Sequence, residues 1–112
     1  MLFVKSTVRP FCLHIACAVI NAALELELPD VTITAGKDGQ HKPGSEHGRG
    51  NALDARTKNI RKWATKRAFC DLVKKRLGPL YDVLLEDLGG PNEHLHVERD
   101  SRRAVSAGEP GQ

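Results

Sequence analysis

Cysteine is scarce in this 112-residue chain: Cys12, Cys17 and Cys70 make an odd count, and no two of them form a C-x-x-C pair. That excludes a disulfide framework and a zinc knuckle, and it fits a reducing compartment. Long hydrophobic runs are missing too, since no stretch approaches the ~20 apolar residues that span a bilayer. Nor is there a large excess of one charge: 17 Lys and Arg stand against 14 Asp and Glu, for a net charge of +3. So mild a balance gives no reason to expect nucleic acid as a partner. Internal repeats and low-complexity blocks are absent, which sets aside repeat arrays. The densest basic stretch, from Lys58 through Lys66 to Arg76, falls in one expected helix. It reads as a solvated face, with contact to an anionic polymer as the sharper alternative.

Residues 11–24 are apolar enough to raise a secretion signal, with Lys5 and Arg9 before them and Ala22 and Ala23 to end them. His14 and Asn21 interrupt the run, so a helix over 9–27 is the preferred reading, with secretion as the alternative. Pro10 suits its first turn, and Leu13, Cys17, Ile20, Leu24 and Leu28 recur at three- and four-residue steps as its core stripe. Without a leader, the expected location is the cytoplasm.

Pro29 and Asp30 stop that helix, and the β-branched run 31–34 reads as a short buried strand. Residues 36–50, rich in Gly, Lys, His and Ser, cannot bury themselves and are expected to form a long surface loop, a kind usually functional or disordered. A brief strand over 51–54 follows. Thr57 is then expected to cap a second helix bearing Ile60, Ala64, Ala68 and Leu72 beside Phe69, Val73 and Leu77, with Trp63 and Phe69 in the core. Gly78-Pro79 ends it, and strands over 80–85 and 94–98 flank a turn at 89–92. The expected fold is α+β, two helices packed on a small, largely antiparallel sheet. One domain covers 1–100, and 101–112 form a polar tail.

Four of the five histidines, His41, His47, His94 and His96, fall in the loop and the last strand. Imidazole and carboxylate suit zinc, and a catalytic zinc site has three protein ligands with a fourth position for water. His47, Asp54 and His96 are a candidate set. Side chains two apart on a strand share a face, so His94, His96 and Glu98 point one way and Leu95 and Val97 the other, into the core. Glu93 faces away from His96 unless the turn at Pro91-Asn92 brings it round.

The stretch from Ser45 to Asp54 reads S-x-H-x-x-G-x-A-x-D, and Glu93-His94-Leu95-His96 carries a His both two residues after a His and three after an acid. These motifs resemble the zinc D-alanyl-D-alanine carboxypeptidase family. That family includes D-Ala-D-Ala dipeptidases and phage L-alanyl-D-glutamate endolysins, and it shares its fold with hedgehog signalling domains. The resemblance covers about residues 10–99, and Ile33-Thr34-Ala35-Gly36, Asp38-Gly39-Gln40-His41 and Tyr81-Asp82-Val83 look like segments of small phage-type members.

The resemblance implies a Zn2+ peptidase of bacterial peptidoglycan, acting as a monomer in a phage or prophage setting. It makes His47, Asp54 and His96 the metal ligands and Glu93 the general base, with His94 as competing base or oxyanion donor. Ser45, His41, Lys37 and Arg49 are the substrate-side candidates. Many relatives hold a substrate carboxylate with the Arg of an S-G-Y-R segment, where this chain reads Ala35-Gly36-Lys37-Asp38. Lys37 or Arg49 is then the substitute, and a Lys lacks the bidentate fork, which favours an endopeptidase over a carboxypeptidase. Tyr81, Asp82 and Glu86 read equally as supports of the ligands or as an ordinary polar strand face. Two other readings stay open: an inactive zinc-containing wall-binding module, and a structural zinc site of a phage particle closed by His41 or His94.

Overall fold

Apolar side chains alternate along the strands, so the sheet they build has one buried and one open face. The structure is a computed structural model that describes residues 1–5, 13–35 and 52–100. Its elements run β1 (Leu2–Val4), α1 (Leu13–Glu25), β2 (Val31–Ala35), β3 (Ala52–Arg56), α2 (Trp63–Leu77), β4 (Tyr81–Glu86) and β5 (His94–Arg99). The sheet order is β1-β2-β3-β5-β4, antiparallel throughout except that β1 runs parallel to β2. This is the expected α+β class, two helices on a mostly antiparallel sheet. No helix among the described residues is long and apolar enough to cross a membrane.

The buried face carries Ile33, Leu53, Ala55, Val83, Leu95 and Val97, each at most 2% exposed. Ile15, Val19 and Ala22 from α1 and Phe69, Cys70 and Val73 from α2 close the core over them. Each of the larger side chains contributes about 1.5–3 kcal/mol through its burial. Gly78 ends α2 at φ +86, in the left-handed region that favours glycine, and its N–H reaches the Lys74 carbonyl at 2.8 Å.

Four expectations change. The core face of α1 is Ile15, Ala16, Val19, Ala22 and Ala23, whereas Leu13 and Leu24 of the expected stripe are 72% and 67% exposed. A helix apolar on most sides presents two stripes, and periodicity alone does not choose between them. Second, α2 starts at Trp63, with Lys62 as an N-cap that makes no side-chain bond. Thr57 lies upstream in a turn, its carbonyl accepting the Ile60 N–H at 2.9 Å, and its hydroxyl serves another purpose described below. Third, Trp63 is 53% exposed, while Phe69 is buried as expected. Fourth, β1 has no counterpart in the sequence reading, because three residues on a sheet edge are too few to show a period.

Candidate metal centre

The open face is built by pairing register. Asp54 on β3 stands directly opposite His96 on β5, and Arg56 stands opposite His94. On the other side of β5, Leu84 faces His96, Glu86 faces His94 and Asp82 faces Glu98. Cross-strand neighbours on one face lie about 4.5–5.5 Å apart at Cβ, so two strands are enough to gather two imidazoles and a carboxylate.

Ligand atoms of Asp54, His94 and His96 lie within 4.8 Å of one another. His96 Nδ1 is 2.7 Å from Asp54 Oδ1, and His96 Nε2 is 3.2 Å from Glu98 Oε1. His94 Nε2 sits 3.0 Å from Glu86 Oε1 and 3.8 Å from Asp54 Oδ2, while its Nδ1 lies 2.5 Å from the Asn92 carbonyl oxygen. Glu98 thus takes the ring nitrogen of His96 opposite Asp54, a carboxylate–histidine arrangement typical of metal ligands, whereas on His94 that place is taken by the Asn92 carbonyl and Glu86 shares Nε2 with Asp54. Asp82 does not enter the group, and Tyr81 packs instead beside the core and near the exposed His14, ring centroids 5.9 Å apart.

Burial works against a charged His96, but the hydrogen bond and charge of Asp54, aided by Glu98, outweigh it and raise the imidazole to about 9. At neutral pH it therefore carries a proton that a metal must displace. Over two pH units that costs a metal roughly 3 kcal/mol. Structural zinc sites gain about 10–16 kcal/mol, so the proton weakens binding without forbidding it. The donor set, two imidazoles and one carboxylate, fits zinc and leaves a position for a further ligand.

Glu93 is placed differently. Its side chain is 3% exposed and turned toward α2, with Oε1 accepting from Lys66 Nζ at 2.6 Å and Thr57 Oγ1 at 2.9 Å, and Oε2 accepting from the Gly89 N–H at 2.9 Å. The Gly89 backbone bond and Lys66 hold its carboxyl below the ordinary 4.5, against the opposing effect of burial. The bend at Pro91-Asn92 does not bring it into the group of Asp54, His94 and His96. Instead it ties α2, the turn after β3 and the turn before β5 together at the point where His94 begins.

The structure thus brings together Asp54, His96 and His94. His47, Ser45, His41, Lys37 and Arg49 lie outside the described residues. Lys66 and Thr57 were missed as partners of Glu93, because the first read as a solvated helix cation and the second as a cap. Their contacts span 27 and 36 residues, a distance at which no local pattern speaks. Glu98 stands on the face of the histidines as the period of two along β5 implies, and Glu86, read equally as a support of the ligands or as polar strand face, is brought beside His94 by the register of β4 against β5.

Comparison with known proteins returned neither a matching family model nor a similar curated relative.

Proposed function

We propose that the protein is a zinc-dependent peptidase acting on bacterial peptidoglycan peptides, its metal held on the open sheet face by Asp54, His96 and His94. The single observation that carries this is the convergence of those three ligand atoms within 4.8 Å, together with the motif S-x-H-x-x-G-x-A-x-D that contains Asp54. Zinc, when bound, supplies a Lewis acid and a water acidified to a pKa of about 7. With His47 taking the third ligand position in its stead, His94 would border that position as the group on the sheet face suited to moving a proton there, its Nε2 3.0 Å from Glu86 Oε1. Glu93, fixed by three donors, positions the start of β5 rather than taking protons. His47 remains the motif's other ligand candidate; with it present, His94 is released to the base role.

Digestion of purified peptidoglycan with zinc-loaded protein, followed by mass spectrometry of the fragments, tests the reading. New termini at one bond type are expected. Intact wall after incubation with protein shown to hold zinc would leave the second reading, a closed structural or wall-binding zinc site, which four protein ligands including both His47 and His94 would create.

A further inference from the structure

Helix α1 carries a second apolar stripe that the core does not use. Leu13, Cys17, Ile20 and Leu24 recur at steps of four, three and four residues, which keeps all four within about 60° of one another around the helix. The core face, with Ile15, Val19 and Ala22, lies on the far side. Leu13 and Leu24 are 72% and 67% exposed, Cys17 is an exposed free thiol and Ile20 is half-buried. Steps of four, three and four mark the seam along which two helices pack side by side, so the stripe is shaped for another helix.

The charges at its ends say which helix. α1 has no acid in its first turn and no base in its last turn. Its C-terminal end instead carries Glu25 and, just past it, Glu27, both exposed, where the carbonyl end of the helix dipole is already negative. Arg76 of α2 stands 3.8 Å from Glu25, an exposed pair that solvent screens. A second α1 laid antiparallel brings its positive N-terminal turn, with His14, to those acids, and the two-fold axis repeats the contact at the other end. Leu13 of each copy then meets Leu24 of the other, and Cys17 meets Ile20 in the middle, small against large. We infer that the protein self-associates through α1 as a symmetric antiparallel helix pair. That replaces the single chain implied by the resemblance. The metal centre lies on the other side of the sheet from α1, so the inference does not depend on the peptidase reading. Three helical turns bury less than the ~1,200–2,000 Å² of a standard interface, so the pair is weak and forms at high protein concentration.

Sedimentation equilibrium of the full chain at low salt, from about 10 µM to about 1 mM, tests this, with circular dichroism to show that each variant has folded. The average mass should rise from that of one chain toward that of two. L13S/L24S changes only exposed positions of α1 and should weaken association at least about tenfold. E25Q/E27Q should weaken it about three- to tenfold, because the acids no longer face the other copy's N-terminus. A parallel pair would respond in the opposite sense, since it sets acid against acid. A mass that stays at one chain throughout overturns the inference and leaves the stripe to another occupant. A dimer untouched by L13S/L24S overturns it as well, because the contact then lies on a different face. So does association that E25Q/E27Q leaves unchanged or strengthens, which removes the antiparallel arrangement.

Discussion

Glu93, just before β5, and the histidines on β5 treat their polar groups in opposite ways. Glu93 is covered by an ammonium from α2, a hydroxyl from the turn after β3 and a backbone N–H from the turn before β5. On the open side His94 and His96 meet the carboxylates of Asp54, Glu86 and Glu98, and His94 also meets the Asn92 carbonyl, oxygens whose lone pairs and charge attract a cation. A satisfied buried ion pair has nothing left to offer a ligand, whereas imidazoles ringed by acids are stabilised further when a divalent ion takes the place of a proton. The lesson is that adjacency in sequence, Glu93 next to His94, says little about shared partners, because the turn before β5 aims one side chain at Lys66 and the strand aims the next at Asp54 and Glu86.

The comparison breaks most sharply at the metal. H96A or D54A should lose measurable zinc uptake by titration calorimetry together with activity, while lowering the metal-free stability by only about 1–3 kcal/mol, the value of one charge-assisted hydrogen bond. Retained stoichiometric zinc in H96A would remove the open face as the metal centre. Next in size, E93A and K66M each leave a buried charge unpaired and should cost about 3–5 kcal/mol in urea unfolding. With the fold intact at low temperature, E93Q should keep zinc and a large part of turnover. An E93Q protein that binds zinc with native stability yet is inert would restore Glu93 as the base.

The pH dependence sharpens the contrast. His96 is raised from 6.5 to about 9 in the metal-free fold, so its contribution is full below pH 6.5 and is lost as pH rises through about 9. That loss amounts to about 3 kcal/mol. Glu93 is lowered from 4.5, so its contribution is full above that value and is lost as pH falls below it. Metal-free thermal stability should therefore decline on both sides of the window from pH 4.5 to 6.5, and the extra stability conferred by zinc should grow from pH 6.5 toward 9 as the competing proton leaves. A zinc effect that is flat across that range would mean His96 is not a ligand. The smallest effects concern α1: A22L should cost about 1–3 kcal/mol by overpacking, whereas L24S on the exposed stripe should change stability by less than about 0.5 kcal/mol.

Much was legible beforehand. The strands at 31–34, 80–85 and 94–98 match β2, β4 and β5 to within a residue, because alternation and turn residues at Pro29, Gly89 and Gly90 are local signals. The sharing of one face by His94, His96 and Glu98 followed from the same period. The α1 stripe was misread because alanines and leucines give two apolar faces of similar strength, and only the partner helix and sheet decide which is covered. Thr57 was misread because a residue three positions before Ile60 satisfies the cap pattern whether or not a helix follows.

By itself, the order of residues determined the class of fold, the alternation that divides the sheet into a dry and a wet face, and the presence of His and Asp in number and type suited to zinc. Only the tertiary structure decided that Asp54 meets His96 across a strand pair 42 residues apart, that Lys66 turns inward to neutralise Glu93, and that Arg56 stands beside His94. The physical reason is that periodicity acts between neighbours in the chain. Register and ion pairing are settled by which strands and helices the shared core brings into contact.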